Sequence, residues 1–418
     1  MIFPYQPTIF SRTPSSRVTR LEGFWPFRTR PDHCHIVAIP WVLNTRWLLA
    51  RAPAHTREVT GSSPVRSTPC CFDLRVCLVQ VVVGLAVGRR LTSRLEGEVS
   101  GHEGAWVSLT VNLHRLSADC ELIVKPPILL DGGMGQELIR RGANRESDMW
   151  AAWALVHDPE LVTAVHTDYI AAGVDVLTTN TYHTSADRLE YVGFGDRTEE
   201  LTRLAGRLAR EVADNAGRDV MVAASLPPLR HSYNPDPDAT YEELLDEYSE
   251  MVGYLAESVD LFLPETMGAL FEAQAAVDAA RESGRTVWVS FTLQGSPGPH
   301  LLDGTSFAEA VASIDADAYL INCCPPEEIS SALPILRAVT NRPVGVYANG
   351  FREMPLGYRR REGDPLPPAR TDMGTDRYAQ IVLEWVDAGA DIVGGCCEIG
   401  PDHIARIRQV LPQPYSDL

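Results

Sequence analysis

The sequence predicts a (β/α)8 TIM barrel over residues 125–418, preceded by an extension, residues 1–124, that reads as disordered or as translated upstream sequence. Short apolar runs rich in β-branched residues alternate with amphipathic stretches of helical length, the pattern of parallel strands joined by crossover helices. Eight such units occupy about 290 residues, the size this barrel needs. A doubly wound open sheet is the alternative, but eight parallel strands are many for it. No Gly-x-Gly-x-x-Gly follows the first run either, so a dinucleotide site is disfavoured.

The elements follow in order. The first strand is "PILLD" (127–131), which ends on a carboxylate ahead of Gly132-Gly133 and the helical stretch "GQELIRRG". "PELVTAVHTDYIAAG" (159–173) reads as a helix leading to the second strand, "VDVLTTNT" (174–181). "VMVAASL" (220–226) is the third strand, and "YEELLDEYSEMVGYLAES" (241–258) the helix between it and the fourth, "VDLFLPET" (259–266). The fifth to seventh strands are "TVWVSFTL" (286–293), "AYLINCC" (318–324) and "PVGVYANG" (343–350). The helix "TDRYAQIVLEWVDAGA" (375–390) then leads to the last strand, "ADIVGGCC" (390–397).

Residues 1–124 differ in kind. They hold 14 Arg and no Lys against 9 acidic residues, whereas the remainder holds 23 basic against 46 acidic, giving the chain its net charge of −18. "VTGSSPVRST" (59–68) resembles the 3′ half of a transfer-RNA gene read as protein, which points to a start placed too far upstream. An Arg-rich targeting arm and a small ligand-sensing domain are the rival readings. The acidic body argues against nucleic acid and for small-molecule substrates. "VCLVQVVVGLAVG" (76–88) is too short to span a membrane as a helix and too deep for a signal peptide. Nine cysteines in 418 residues form no disulfide framework, so a cytoplasmic protein is expected, as a monomer or small homo-oligomer. His33-Cys34-His35 reads as a chance cluster.

Catalytic groups in this fold sit at the C-terminal strand ends. Those ends carry Asp131, Asn180, Ser225, Glu265, Thr292, Cys323-Cys324, Asn349 and Cys396-Cys397. Successive strand residues face opposite ways, so adjacent cysteines reach one ion only where the backbone leaves the strand, and Gly394-Gly395 are expected to supply torsional freedom there. With Cys323 from across the mouth, three thiolates would make an open zinc site whose fourth position takes substrate. Buried inert thiols and a vicinal Cys396–Cys397 disulfide are the alternatives. Cys324, ahead of Pro325-Pro326, is expected to be an inert buried thiol.

The motifs "LLDGGMGQEL" (129–138), "TTNTYHTS" (178–185), "PETMGALFEA" (264–273), "INC" (321–323) and "GGCCEIGPDHI" (394–404) resemble the homocysteine S-methyltransferase family, as does "SFTL" with "LLDGTSFAEAV" (290–311). The resemblance covers about residues 126–412. It implies Zn2+ held by Cys323, Cys396 and Cys397, homocysteine as acceptor, and a methyl donor. Asp131 and Glu265 would pair with the amino group of homocysteine, and N–H groups at Gly132 and Gly133 would hold its carboxylate. A helix cap is the plainer reading of Asp131. Asn180, Tyr182, His183 and Asn349 would line the donor pocket, with Tyr182 a cation–π partner; His183 could equally be a loop residue, and Asn349 turn chemistry. S-methylmethionine or S-adenosylmethionine is expected over betaine, because no long C-terminal extension follows the last helix, and over a folate donor, because no cobalamin domain is present. A different thiol or selenol acceptor, and a non-catalytic zinc or redox-sensing barrel, are the rival functions. The sequence departs from the family at Ala151, in "SLPPLRHSYNPD" (225–236), at Glu398-Ile399, and in a long Arg-rich insertion (349–374) that is either a surface loop or a lid.

Overall fold

The computed structural model describes residues 126–143, 149–295, 298–352 and 367–412. The expectations for residues 1–124, His33-Cys34-His35 among them, lie outside these, as does the middle of the Arg-rich insertion.

All eight expected strands form: β1 (Ile128–Leu129), β2 (Val176–Thr178), β3 (Met221–Leu226), β4 (Leu261–Pro264), β5 (Thr286–Phe291), β6 (Ala318–Asn322), β7 (Val344–Tyr347) and β8 (Ile392–Val393). They pair in parallel in the order β1-β8-β7-β6-β5-β4-β3-β2, and a parallel Leu130–Val176 bridge closes the ring between β1 and β2. The strands are shorter than the apolar runs suggest. Expected through Cys397, β8 stops at Val393, because the backbone beyond it turns into the cysteine loop. Of the expected helices, Pro159–Ala172, Tyr241–Leu255 and Thr375–Asp387 form, the last two about one turn shorter than their sequence patterns. None of the described helices is long and apolar enough to cross a membrane.

Strand alternation sorts the core into two layers. Leu261 and Leu263 of β4, Ala318 and Leu320 of β6, and Trp288 of β5 fill the barrel interior, while Phe262, Val289 and Ile321 pack outward under the helices. Continuing the inward series upward gives Thr178, Ser225, Glu265, Ser290, Asn322 and Tyr347. The interior therefore turns polar at its C-terminal end, where the site lies.

The N-terminal ends carry a device repeated four times. Asp175, Asp260, Asp317 and Asp391 precede the even strands in "VDVL", "VDLF", "ADAY" and "ADIV". Each donates its own N–H to the carbonyl of a residue on the preceding odd strand: Leu129, Val222, Val287 and Val344 respectively. Each carboxylate then accepts that residue's N–H, at 2.8, 2.7, 3.0 and 3.0 Å. The clip satisfies backbone donors that would otherwise be left unpaired at the start of the sheet. Asp260→Ala orphans the N–H of fully buried Val222, and we expect it to lower stability by about 1–3 kcal/mol in urea unfolding while leaving kcat/KM unchanged.

Candidate functional site

The loop after β8 is tied on both sides. Toward β1, Gly395 N–H donates to Asp131 O at 2.9 Å and Ile399 O accepts from Gly133 N–H at 2.9 Å. Toward β7, Cys396 N–H donates to Ala348 O at 3.0 Å and Cys397 O accepts from Gly350 N–H at 2.8 Å. The reason for the glycines differs from expectation. Gly394 and Gly395 are not in the left-handed region. They allow close approach instead: a Cβ at Gly394 would lie 2.6 Å from Leu130 Cβ, and one at Gly395 2.2 Å from Ile399 Cγ2. Gly132 and Gly133, expected to offer N–H groups to a carboxylate, are also points of close approach. A Cβ there would meet Ile399 O at 2.1 Å and Cys396 O at 2.7 Å, and the Gly133 N–H is already spent on Ile399. The pair makes room for the cysteine loop, and Gly133 offers no free donor to a carboxylate.

The loop delivers Cys396 and Cys397 to Cys323, directly after β6. Their three sulfurs lie within 4.8 Å of one another, with Cys323 and Cys397 Sγ 3.9 Å apart. Zn–S bonds of about 2.3 Å in tetrahedral geometry place sulfurs about 3.8 Å apart, so the set fits such an ion. Its thiols are electrostatically linked. Hydrogen bonds from Cys396 and Cys397 hold Cys323 well below the usual thiol range. That interaction with Cys323 is in turn the main cause that pushes Cys396 and Cys397 up. A metal ion beside them would let all three ionise together. Cys324 packs into the outer core with its thiol pushed up by burial, as expected of an inert residue.

The backbone is strained around this point. Among the described residues, the non-glycine positions with positive φ are Trp150 (50°), Thr266 (61°), Cys323 (53°) and Glu398 (67°). Each lies on the cavity wall or next to a residue that does, and such strain persists only where neighbours enforce it. Asn322 enforces it at Thr266: its Oδ1 accepts from Thr266 N–H at 2.9 Å, and its Nδ2 donates to Thr266 Oγ1 at 2.8 Å. At Cys323 the carbonyl accepts from Asn349 Nδ2 at 2.8 Å and from the Tyr233 hydroxyl at 3.2 Å.

A cavity of about 610 Å³ opens beside the sulfurs. Asp131 and Glu265 both line it, from β1 and β4. Thr178 donates to Asp131 from its N–H at 2.8 Å and its hydroxyl at 2.9 Å, and burial pushes the Asp131 carboxyl up to about 8. Glu265 accepts from Ser225 Oγ and, at 3.0 Å, from the Tyr347 hydroxyl; burial pushes it up to about 7. Asn180, Tyr182 and His183 also line the cavity, the His183 ring 6.0 Å from Trp150 and 5.2 Å from Tyr182. Asn349 is buried behind Cys323 and is not among the lining residues, so the structure places it as a brace for a cysteine and not in the donor pocket.

Several site residues escaped the sequence reading. Tyr233, in the loop that departs from the family after β3, brings its hydroxyl 2.9 Å from Cys323 Sγ. Gln136, which hydrogen-bonds the Cys397 thiol, and Arg188, whose buried Nε has no partner among the described residues, also line the cavity. Only the helical period of Gln136, one turn beyond Gly132, hinted at a place near the mouth.

The Asp131 carboxyl generates a pH prediction. Its pKa is raised above the unfolded value, so its contribution is fully present below about 3.8 and lost as pH rises through about 8. Asp131→Asn, which keeps an acceptor for Thr178 N–H and cannot ionise, should exceed the wild type in stability by up to about 5 kcal/mol at pH 8. The gap should close toward pH 4 in parallel urea titrations.

The barrel is similar to known proteins along its length. Homocysteine S-methyltransferase YbgG of Bacillus subtilis is 29% identical over 308 residues, covering 68% of this chain and 93% of that protein. Selenocysteine Se-methyltransferase of Brassica oleracea is 29% identical over 317 residues, covering 68% and 88%. The crystal structure of the metallated homocysteine methyltransferase MmuM of Escherichia coli superposes with a TM-score of 0.58 at 28% identity, covering 71% of this chain and 99% of that one. The model of the homocysteine S-methyltransferase family matches residues 128–411, most of the chain, and the chain belongs to that family.

Proposed function

We propose that the protein transfers a methyl group from a sulfonium donor, S-methylmethionine or S-adenosylmethionine, to the thiol of homocysteine, giving methionine. The observation that carries this reading is the convergence of three cysteine sulfurs and two buried carboxyl groups on one cavity. Cys323, Cys396 and Cys397 would hold a zinc ion, which keeps a substrate thiol in its thiolate form near neutral pH.

The chain's own groups supply the rest. Asp131 and Glu265 are neutral or nearly so in the empty cavity, because burial disfavours their charge. An ammonium group arriving between them restores the charged form, so the acceptor's amino group is bound at the cost of released protons. Tyr233 and Asn349 fix Cys323 from hydroxyl and amide, and Asn322 fixes the segment after Glu265. Tyr182 and Trp150 present aromatic walls to a methyl-bearing cation. In the transfer, the acceptor sulfur forms the new S–CH3 bond while the donor's S–CH3 bond breaks. Its electron pair returns to the donor sulfur, and the acceptor's thiol proton has already gone to solvent. Selenocysteine belongs in any acceptor panel, since Se-methyltransferases stand among the relatives at the same identity.

The test uses the full chain loaded with zinc, homocysteine and S-methylmethionine. Methionine should form, with about one zinc per chain by metal analysis, and a chelator should abolish turnover. Cys396→Ala should lose both the zinc and at least about 100-fold in kcat/KM, since two thiolates do not complete the site. A folded chain that binds no zinc would refute the reading.

A further inference from the structure

Two arginines line the cavity, and they differ in one respect. Arg230 is neutralised by Glu247, whose carboxylate accepts from both its terminal nitrogens. Arg188, from the short helix Ala186–Tyr191, is not. Among the described residues its partners are Pro228 O at 3.2 Å, Ser232 Oγ at 3.4 Å and the Tyr182 ring, whose centroid lies 5.7 Å from its guanidinium carbon. None is a carboxylate, and its buried Nε has no acceptor. Burial works against its charge, and Tyr182, Asp187 and Glu272 offset this only in part. A guanidinium on a cavity wall with no carboxylate among its hydrogen-bond partners is a costly arrangement unless a ligand supplies the anion.

Tyr182 relates this cation to the sulfur end of the cavity. It lines the same cavity as Cys323, and its ring carries Arg188. Its hydroxyl donates to Ser232 at 2.8 Å, the same oxygen that Arg188 reaches.

We propose that Arg188 is the carboxylate subsite of the methyl donor, a zwitterionic amino acid whose methyl-bearing cation lies against the aromatic wall while its carboxylate pairs with the guanidinium. This rests on the methyl-transfer reading above and extends it. Recognition of the donor then requires its free carboxylate, and Arg188 sets the donor's KM without touching the acceptor's. The fork of a guanidinium matches a carboxylate, which an ammonium group at the same place would do less well.

The experiment compares S-methylmethionine with its methyl ester as donors for the wild type, Arg188→Met and Arg188→Lys, using the full chain with its zinc content checked. With S-methylmethionine, Arg188→Met should lose roughly 10- to 100-fold in kcat/KM, and Arg188→Lys less, the range for a charge-assisted bond. With the ester, all three proteins should agree within about threefold, and the KM for homocysteine should not move in any. Equal losses with both donors, or a rise confined to the homocysteine KM, would overturn the proposal. Should the wild type make no methionine from any donor, the methyl-transfer reading fails by itself. Equilibrium dialysis of labelled S-methylmethionine then decides the subsite: weaker binding to Arg188→Met supports it, and equal binding overturns it.

Discussion

Three sulfurs crowd into a space of a few ångströms because the loop that carries two of them cannot relax. Residues 394–399 belong to no strand, yet hydrogen bonds hold them to the β1 loop on one side and the β7 loop on the other. Gly132, Gly133, Gly394 and Gly395 are points where a Cβ would strike backbone or core. The consequence is electrostatic: sulfurs kept this near one another cannot all be charged alone, which suits the set to a cation. Remove the ties to Asp131, Gly133, Ala348 or Gly350, and nothing would keep the sulfurs together.

The same logic governs the carboxyl groups beneath. Asp131 and Glu265 sit where the barrel interior changes from apolar to polar, and neither meets an arginine or lysine. Their acceptor lone pairs are met by hydroxyls and one N–H, which hold the carboxyls in place without fully stabilising their charge. The cavity thus gathers three clustered thiols, two carboxyl groups whose charge burial disfavours, and a guanidinium with no carboxylate among its hydrogen-bond partners. Such polar groups are tolerated at the mouth because the layers below them are apolar.

The sequence made all eight strands legible because each is a short apolar run whose period is set by neighbours on two faces. Their ends were not, since apolar residues such as Val174 and Val259 continue past the ladder. The cysteine set was legible because Gly394-Gly395-Cys396-Cys397 is local and the barrel brings strand ends together. Its supports were hidden for the opposite reason. Tyr233 reaches Cys323 across 90 residues, Asn322 reaches Thr266 across 56, and Tyr347 reaches Glu265 across 82. No spacing rule links them. Gly394 and Gly395 were found but misread, because a freedom of torsion and a lack of bulk leave the same letter in a sequence.

The four aspartate clips at the opposite face divide the ring in a way the hydrogen-bond ladder alone does not. Each joins an odd strand to the even strand that follows it, so β1 goes with β2, β3 with β4, β5 with β6 and β7 with β8. A cut in the chain after an even strand severs no clip, whereas a cut after an odd strand separates two partners. The barrel is therefore four keyed quarter-modules set edge to edge, with seams after β2, β4 and β6 and where β8 meets β1. The clustered cysteines come from two of these quarters, Cys323 from the third and Cys396-Cys397 from the fourth, so an ion held by all three would double as a rivet across the seam after β6.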